Sequence, residues 1–518
     1  MKYKKVLILL VSLTLIFSIS FSLMAEDAEF IEPPANWDES YDVVVIGGGF
    51  AGLAAAYNAQ THGANTVLIE KMPFVGGNSQ INGGVYASYT SKLNMAEKVG
   101  YEPDTPEQHI EDTIKGGDYM SDPALVKNFV YGAPYFLNMM IDNGLELREA
   151  LSRPGGHYGY RTHTTINQSG SDIVLVQKKM VEEAGVDVML ETEMNYIYRE
   201  APLKGKVLGI RVKESDGYKN IKANNGVILA SGGFSGNEKM RKKYVPWINE
   251  DMPTTNHVGA TGEGIKIAQQ IGADTLQMSY IQLYPFANPN NGVLDHVAVV
   301  PFSGPSFGIV YVDTNGERYV NEGERRDVCS MAAMNSGGFP TFAIFNENMM
   351  TKFTTKEDME RGIERNRVFK AETLEELVGI INSHKYADNE INIPAENLIN
   401  TIEKHNDYVR KGEDPDFDKR IDKGVAETIE EGPYYAIPQW PSVHHTMGGL
   451  KITPRTEVQD MWGNVIPGLY AAGEVVGGVH GTNRLGSNAI PDAAAHGLIA
   501  GQKAADGTLP EFVPEENR

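Results

Sequence analysis

The sequence predicts an α/β fold: a Rossmann-like nucleotide-binding domain built from two separate stretches of chain, with an α+β domain inserted between them. Three observations lead there. The segment YDVVVIGGGFAGLAAAYNAQTHGANTVLIEK, starting at Tyr41, passes from a β-branched apolar run into Gly47-x-Gly49-x-x-Gly52, a helix ending near Gly63, and a second strand, Thr66 to Ile69, that stops on Glu70. Glycine-rich turns return far downstream, in GVILASGG (Gly226 to Gly233) and in YAAGEVVGGVHGTNRLGSNAI (Tyr470 to Ile490). From Tyr284 to about Pro433 they vanish, and a hairpin and polar helices stand in their place.

Taken in order, the chain opens on MKYKKVLILLVSLTLIFSISFSLMA, which joins a lysine-rich start to an apolar run from Val6 and ends on the small residue Ala25. It reads as a signal peptide over 1–25, whose cleavage places the mature chain outside the cytoplasm; an uncleaved membrane anchor is the competing reading, because the run is about long enough to span a bilayer. Residues 26–40 form a linker, since the paired prolines Pro33 and Pro34 neither propagate a helix nor donate to a sheet.

The nucleotide-binding domain takes 41–283 as its first part and 433–506 as its second, and 507–518 is a tail. Asp42 to Ile46 is a buried parallel strand. Gly47, Gly49 and Gly52, with Ala51 among them, bring the backbone close to a pyrophosphate at a helix N-terminus, while Glu70, followed by Lys71, accepts hydrogen bonds from an adenosine ribose. A lone G-x-G-x-x-G is weak, whereas strand, glycines, helix, strand and terminal acid in this order are strong. The fingerprint fits NAD or FAD. FAD is favoured by GGNSQINGG, with Gly77, Asn78, Ser79, Gly83 and Gly84, by Gly232, and by Glu474, Arg484, Ser487, Asn488, Ala489 and Ile490 downstream, a spread that suits a long cofactor. Between these stretches the pattern predicts a helix capped by Ser171, a strand from Val186 to Leu190, three short antiparallel strands (NYIYRE, KVLGIRVKE, KNIKA), and a separate buried strand in GVILASGG.

The insertion, 284–432, carries the hairpin GIVYVDTNGERYVNE with an Asn315-Gly316 turn, then the helices TLEELVGIINS and PAENLINTIEKHNDYVRK.

Composition excludes several functions. A chain of 518 residues, 41% hydrophobic and 22% charged, buries more than one core. Its net charge of −22 makes nucleic acid an unsuitable partner. Cys329 is the single cysteine, which rules out an intramolecular disulfide, Cys-x-x-Cys-His haem attachment and a cysteine-ligated iron–sulfur cluster. Redox chemistry here needs an organic cofactor.

The glycine-rich stretches, with ATGEGIKIAQQIGA, RYVNEGERRD, HHTMGGL and GTNRLGSNAI, resemble the flavoprotein of soluble fumarate reductases and urocanate reductases, within the wider succinate dehydrogenase and fumarate reductase flavoprotein family. The resemblance runs from about Tyr41 to Ala504 and implies non-covalent FAD and an inserted capping domain that closes over the flavin. It also implies roles: His444 and Arg484 grip a substrate carboxylate, and Arg326 donates the proton that completes reduction of a C=C bond. Such a reaction needs fixed positive groups in a dry site, because a carboxylate is a poor electron sink. In isolation ERRD reads as a solvated charge cluster; the motif assigns Arg326 to the chemistry and leaves Arg325 to a salt bridge. His445 is either a satisfied core residue, orients its neighbour or contacts the flavin. No metal site is expected, because adjacent histidines on a strand face opposite ways.

Two departures bear on the substrate. Tyr284 in IQLYPF stands where fumarate reductases have a histidine, as urocanate reductases do, and Phe302 and Pro305 fall where fumarate reductases carry a Glu and an Arg that relay protons. Proton resupply to Arg326 is then expected from Glu324, Asp327 or water. Both changes favour a mono-acid, urocanate-like or cinnamate-like, over fumarate. Two alternatives stand beside this enoate reductase: a dehydrogenase of a cyclic ketone such as a 3-oxosteroid, and a non-catalytic flavin-binding protein. With no haem motif, electrons are expected from an external cytochrome or flavoprotein, and contact with a membrane only through the leader or anchor.

Overall fold

The computed structural model describes residues 30–248, 251–386 and 388–518. The signal-peptide reading falls on residues outside these. No helix among the described residues is long and apolar enough to cross a membrane.

The strand Glu39–Ile46 lies at the centre of an eight-stranded sheet, and Val43, Val44 and Val45 are fully buried because helices or strands cover both faces. Thr66–Ile69 and then Asp187–Met189 pair parallel on one side of it; Gly217–Leu229 and Val465–Ala471 pair parallel on the other. The last of these comes from near the C-terminus, so two distant stretches complete one parallel sheet, as the α/β fold class requires. The helix Phe50–Thr61 packs against Ala489–Asp506 at a distance only glycine allows: a Cβ at Gly497 or Gly501 would stand 2.4 or 2.3 Å from the carbonyl oxygens of Ala51 and Ala55.

Local expectations need three corrections. Ser169, not Ser171, caps the helix Gly170–Glu183, its hydroxyl accepting from the Ser171 N–H; the Ser171 hydroxyl donates to the carbonyl of Gln80 instead. KNIKA and GVIL are one strand, Gly217–Leu229. Its first half pairs antiparallel with Lys204–Glu214 and its second half pairs parallel with two neighbours, so flanking ladders hold the Asn224-Asn225-Gly226 stretch extended although it reads as a turn. In the predicted hairpin the return arm makes only a single bridge, Val312 to Arg318, while Val310–Val312 pairs with Thr341–Asn346. The Glu322 carboxylate, which accepts the Tyr311 N–H and the Arg318 guanidinium, takes the place of the missing ladder.

A second, five-stranded antiparallel sheet contains Ile281–Ala287, Val310–Val312, Thr341–Asn346, Phe369–Ala371 and the long strand Tyr434–Thr446. The long strand pairs with Thr341–Asn346 through its first half and with Ile281–Ala287 through its second. It therefore runs from the core around Phe342, Ile344 and Ile437 into the cleft, and it delivers the histidine pair there. The helices Leu374–Asn382 and Ala395–Lys411 cover this core, the first capped by Thr373.

Candidate active site

A single cleft runs from the glycine turn at Gly47 to Arg326, His444 and Arg484, with about 1750 Å³ of empty space including its mouth. At one end the strand Glu39–Ile46 hands the chain to a helix whose first residue is preceded by Gly49 and has no side-chain cap. The Phe50 N–H donates to the Ser79 hydroxyl (2.9 Å), which leaves those of Ala51 and Gly52 for a pyrophosphate. Gly47, at φ +104°, would place a Cβ 2.4 Å from the carbonyl oxygen of Ala230; Gly52 would place one 1.7 Å from that of Gly47. Gly52→Ala must push helix from strand, and the expected outcome is a chain purified with less than about a tenth of the wild-type flavin absorbance per protein, since the cost exceeds the 1–3 kcal/mol typical of overpacking.

Glu70 receives the N–H groups of Gly48 (2.7 Å) and Met72 (2.9 Å), which hold its carboxylate at the cleft. Lys71 lines the same wall and is paired with Glu263 and Thr261. Gly77 (φ +46°) and Gly232 (φ +76°) have nothing within 4 Å of a Cβ, so side chains there would project into cleft space. Asn78 bridges to Asn256 and to the N–H of His257, and Ser79 accepts the Phe50 N–H. Ala51, Gly83, Glu474, Ser487, Ala489 and Ile490 also line the cleft. Gly52, Gly84 and Asn488 do not: Gly84 backs onto Thr165 and Ser169, and the Asn488 amide is consumed by His109 (3.0 Å) and Thr113 (2.9 Å), so these three support the wall from behind. A nucleotide-length groove with a glycine turn and a helix N-terminus at one end fits FAD.

At the other end stand the groups expected to handle substrate. Arg326 begins the helix Arg326–Asn335 and is buried, with its Cζ 4.7 Å from the ring centre of Tyr284 and 4.6 Å from that of Phe302. Burial pushes its pKa down to about 10. Arg484 is buried as well, and burial, then the nearby charge of Arg326, lowers its pKa. Among the described residues neither guanidinium forms an ion pair, and the Nε of each has no hydrogen-bond partner. Arg325, by contrast, is partly exposed and bridges Asp118 (2.5 Å) and Asp327 (2.7 Å). Two buried cations without a carboxylate partner are costly unless an anion joins them.

His444 sits beside Tyr284, ring centres 4.9 Å apart, with its Nδ1 2.6 Å from the Thr255 hydroxyl. Burial, then Arg326 and Arg484, lowers its pKa, so it is neutral. His445 points to the other side of the strand, toward Glu474 and His480. Tyr284 is fully buried and its hydroxyl donates to the carbonyl of Ala298 (2.8 Å).

Of the proton sources expected for Arg326, Glu324 is exposed and Asp327 pairs with Arg325, and the ring of Phe302 lies against the Arg326 guanidinium. Three contributors had no sequence signal. Gln282 accepts from Arg326 (3.3 Å) and donates to the carbonyl of Arg484 and to Asn483 (both 2.6 Å), coupling the two arginines. Thr255 and Asn256 position His444 through its ring and its carbonyl. Only the pairing of distant strands brings them there.

The family model described as "FAD binding domain" matches residues 42–490. The chain is 36% identical over 471 residues to a fumarate reductase (cytochrome) of Shewanella frigidimarina, covering 90% of this chain and 77% of that one. This chain belongs to the FAD-dependent fumarate and urocanate reductase flavoprotein family. It is also 36% identical over 483 residues to a urocanate reductase of Eggerthella lenta (92% of this chain, 76% of the relative) and 33% over 494 residues to the acrylate reductase flavoprotein subunit of Shewanella woodyi (92% and 94%). It spans only 51% of an NADH:acrylate oxidoreductase of Vibrio harveyi. Its structure matches the open conformation of a flavocytochrome c3 fumarate reductase at TM-score 0.69 and 33% identity, covering 91% of this chain and 79% of that one. A 3-ketosteroid-Δ4-(5α)-dehydrogenase from Rhodococcus jostii RHA1 matches at TM-score 0.66 and 23% identity, over 92% of this chain and all of that one, a likeness of fold alone. The cofactor is FAD, and the protein is an oxidoreductase.

Proposed function

We propose that the protein is an exported, FAD-dependent reductase of the C=C bond of an α,β-unsaturated monocarboxylate. The observation that carries this reading is the pair of buried guanidiniums in the FAD cleft, Arg326 and Arg484, neither of which forms an ion pair among the described residues. A substrate carboxylate completes them. Arg484 offers two parallel N–H donors, and His444, held by the Thr255 hydroxyl 2.6 Å from its Nδ1, leaves its Nε2 for the same anion. FAD held in the cleft would supply the hydride, to one alkene carbon. Arg326, held over the site by Gln282 and by the rings of Tyr284 and Phe302, donates the proton to the other. The acceptor is a strongly basic carbanion, and burial makes Arg326 a stronger acid than a solvated arginine, which narrows the mismatch.

Tyr284, Leu294, Val299 and Phe302 make the remaining wall apolar, and the Tyr284 hydroxyl is committed to Ala298. A second carboxylate has no cation there, whereas an aryl tail packs against these groups, so a cinnamate-like enoate is favoured over fumarate. The buried cations argue against a neutral ketone as substrate. Electrons come from an external cytochrome or flavoprotein. The test is to bleach the purified holoprotein with dithionite and add enoates: an aryl enoate should restore the yellow oxidised spectrum, with kcat/KM on a reduced viologen at least about tenfold above that for fumarate. No reoxidation by any enoate, with turnover of a 3-oxosteroid instead, overturns the proposal.

A further inference from the structure

The segment RPGGHYGYR, Arg153 to Arg161, buries Arg153, His157 and Arg161, none of which lines the cleft or enters the proposed reaction. Arg161 is fully buried and pairs with Asp104 (2.6 Å) and Asp112 (2.7 Å), and Asp112 also accepts the Tyr158 N–H (2.8 Å). A further N–H of Arg161 reaches Nδ1 of His157 (3.1 Å). A guanidinium only donates, so Nδ1 accepts and the ring proton lies on Nε2, which donates to the carbonyl of Gly486 (2.8 Å). Burial, then the charge of Arg161, keeps the ring neutral and pushes its pKa down to about 3. The inserted domain holds the same segment from its other side: the Gly156 N–H donates to the Gly323 carbonyl (3.0 Å), and Asp422 takes Arg153 (2.8 Å) and the Tyr160 hydroxyl (2.7 Å).

Gly486 belongs to the turn that begins at Arg484, and the backbone of that turn is held carbonyl by carbonyl. That of Arg484 accepts from Gln282 (2.6 Å), that of Leu485 accepts the Arg484 guanidinium itself (3.2 Å) and the Asn488 N–H (3.3 Å), and that of Gly486 accepts from His157. A Cβ on Gly486 would stand 2.3 Å from the Phe302 ring and 3.4 Å from a terminal nitrogen of Arg326, so the same peptide also borders the flank of Arg326.

We propose that His157 is a positioning residue for substrate reduction: by fixing the Gly486 carbonyl it holds the Arg484 guanidinium in the orientation that takes a carboxylate. Gly486 is buried, so without the imidazole donor its carbonyl is left unserved, and the turn gains by rotating toward another partner. The guanidinium seated on the neighbouring Leu485 carbonyl turns with it. Arg161 and its two carboxylates act one step further back, by keeping the imidazole in the tautomer and orientation that donate to Gly486. The inference rests on the reading of Arg484 as the group that binds the substrate carboxylate.

Steady-state kinetics of the holoprotein on a reduced viologen, with cinnamate, acrylate and fumarate as probes, tests this with two variants. In His157→Asn the side-chain oxygen can still accept from Arg161, but the amide is too short to reach Gly486; in His157→Gln the amide N–H falls near the place of Nε2. On the probe that the wild type reduces fastest, KM should rise about tenfold in the Asn variant and return to within about threefold of wild type in the Gln variant, with FAD content unchanged in both. A residue that serves only the fold would lower the melting temperature and leave KM where it is. Wild-type KM in the Asn variant, or a Gln variant as damaged as the Asn one, overturns the proposal. Should only the Asn variant lose flavin, the Gln variant decides, a KM within about threefold supporting the proposal and a rise of about tenfold overturning it. Loss of flavin from both places His157 in the FAD frame instead and also overturns it. A wild type that reduces none of the probes removes the reading of Arg484 and this inference with it, whereas an active wild type beside an unchanged Asn variant removes this inference alone.

Discussion

Arg326→Lys is expected to lower kcat by about 10²–10⁴-fold, the usual contribution of a positioned general acid, while FAD content and enoate-induced changes in the flavin spectrum persist. Lysine keeps the positive charge but not the planar group seated between Phe302 and Tyr284 with a bond to Gln282, so charge at the site survives and geometry at the reacting carbon does not. Proton donation acts only in the transition state, so KM should move little. The pH dependence follows from the same residue: Arg326 donates only while protonated, so if chemistry limits turnover, kcat should hold at lower pH and fall as pH rises toward about 10. Stopped-flow reoxidation of reduced enzyme by substrate measures both effects. Wild-type kcat in the lysine variant would remove Arg326 as the acid.

Arg484→Lys should do damage of another kind. A buried carboxylate gripped by two parallel N–H donors in the ground state and the transition state loses binding in both, so KM should rise by about 10–100-fold, the 1.5–3 kcal/mol of a charged hydrogen bond, with kcat also reduced. Arg484→Met, which removes the charge, should leave Arg326 as the only cation facing substrate and abolish enoate perturbation of the flavin spectrum. Steady-state kinetics and a spectral titration separate these outcomes. An unchanged KM in both variants would place the carboxylate elsewhere.

The sequence by itself determined a dinucleotide-binding frame and favoured FAD within it. Gly47, Gly49 and Gly52, the strand before them and Glu70 after them are local in sequence, and the demand they meet, backbone close to backbone and to a pyrophosphate, permits so few residue types that their order along the chain betrays it. The motif around Arg326 and Arg484 was legible only through resemblance, since two arginines far apart in the chain say nothing of their distance. Tertiary structure decided the rest. It put both guanidiniums in one dry cleft, gave Asp327 to Arg325, placed the Phe302 ring against Arg326, and brought Gln282, Thr255 and Asn256 to the site by pairing Ile281–Ala287 with Tyr434–Thr446. It also withdrew Asn488 from the cleft by committing its amide to His109 and Thr113. The physical reason is common to all of these: hydrogen bonds and desolvation depend on separations of a few ångströms between residues hundreds of positions apart, and no local pattern of polar and apolar residues encodes them.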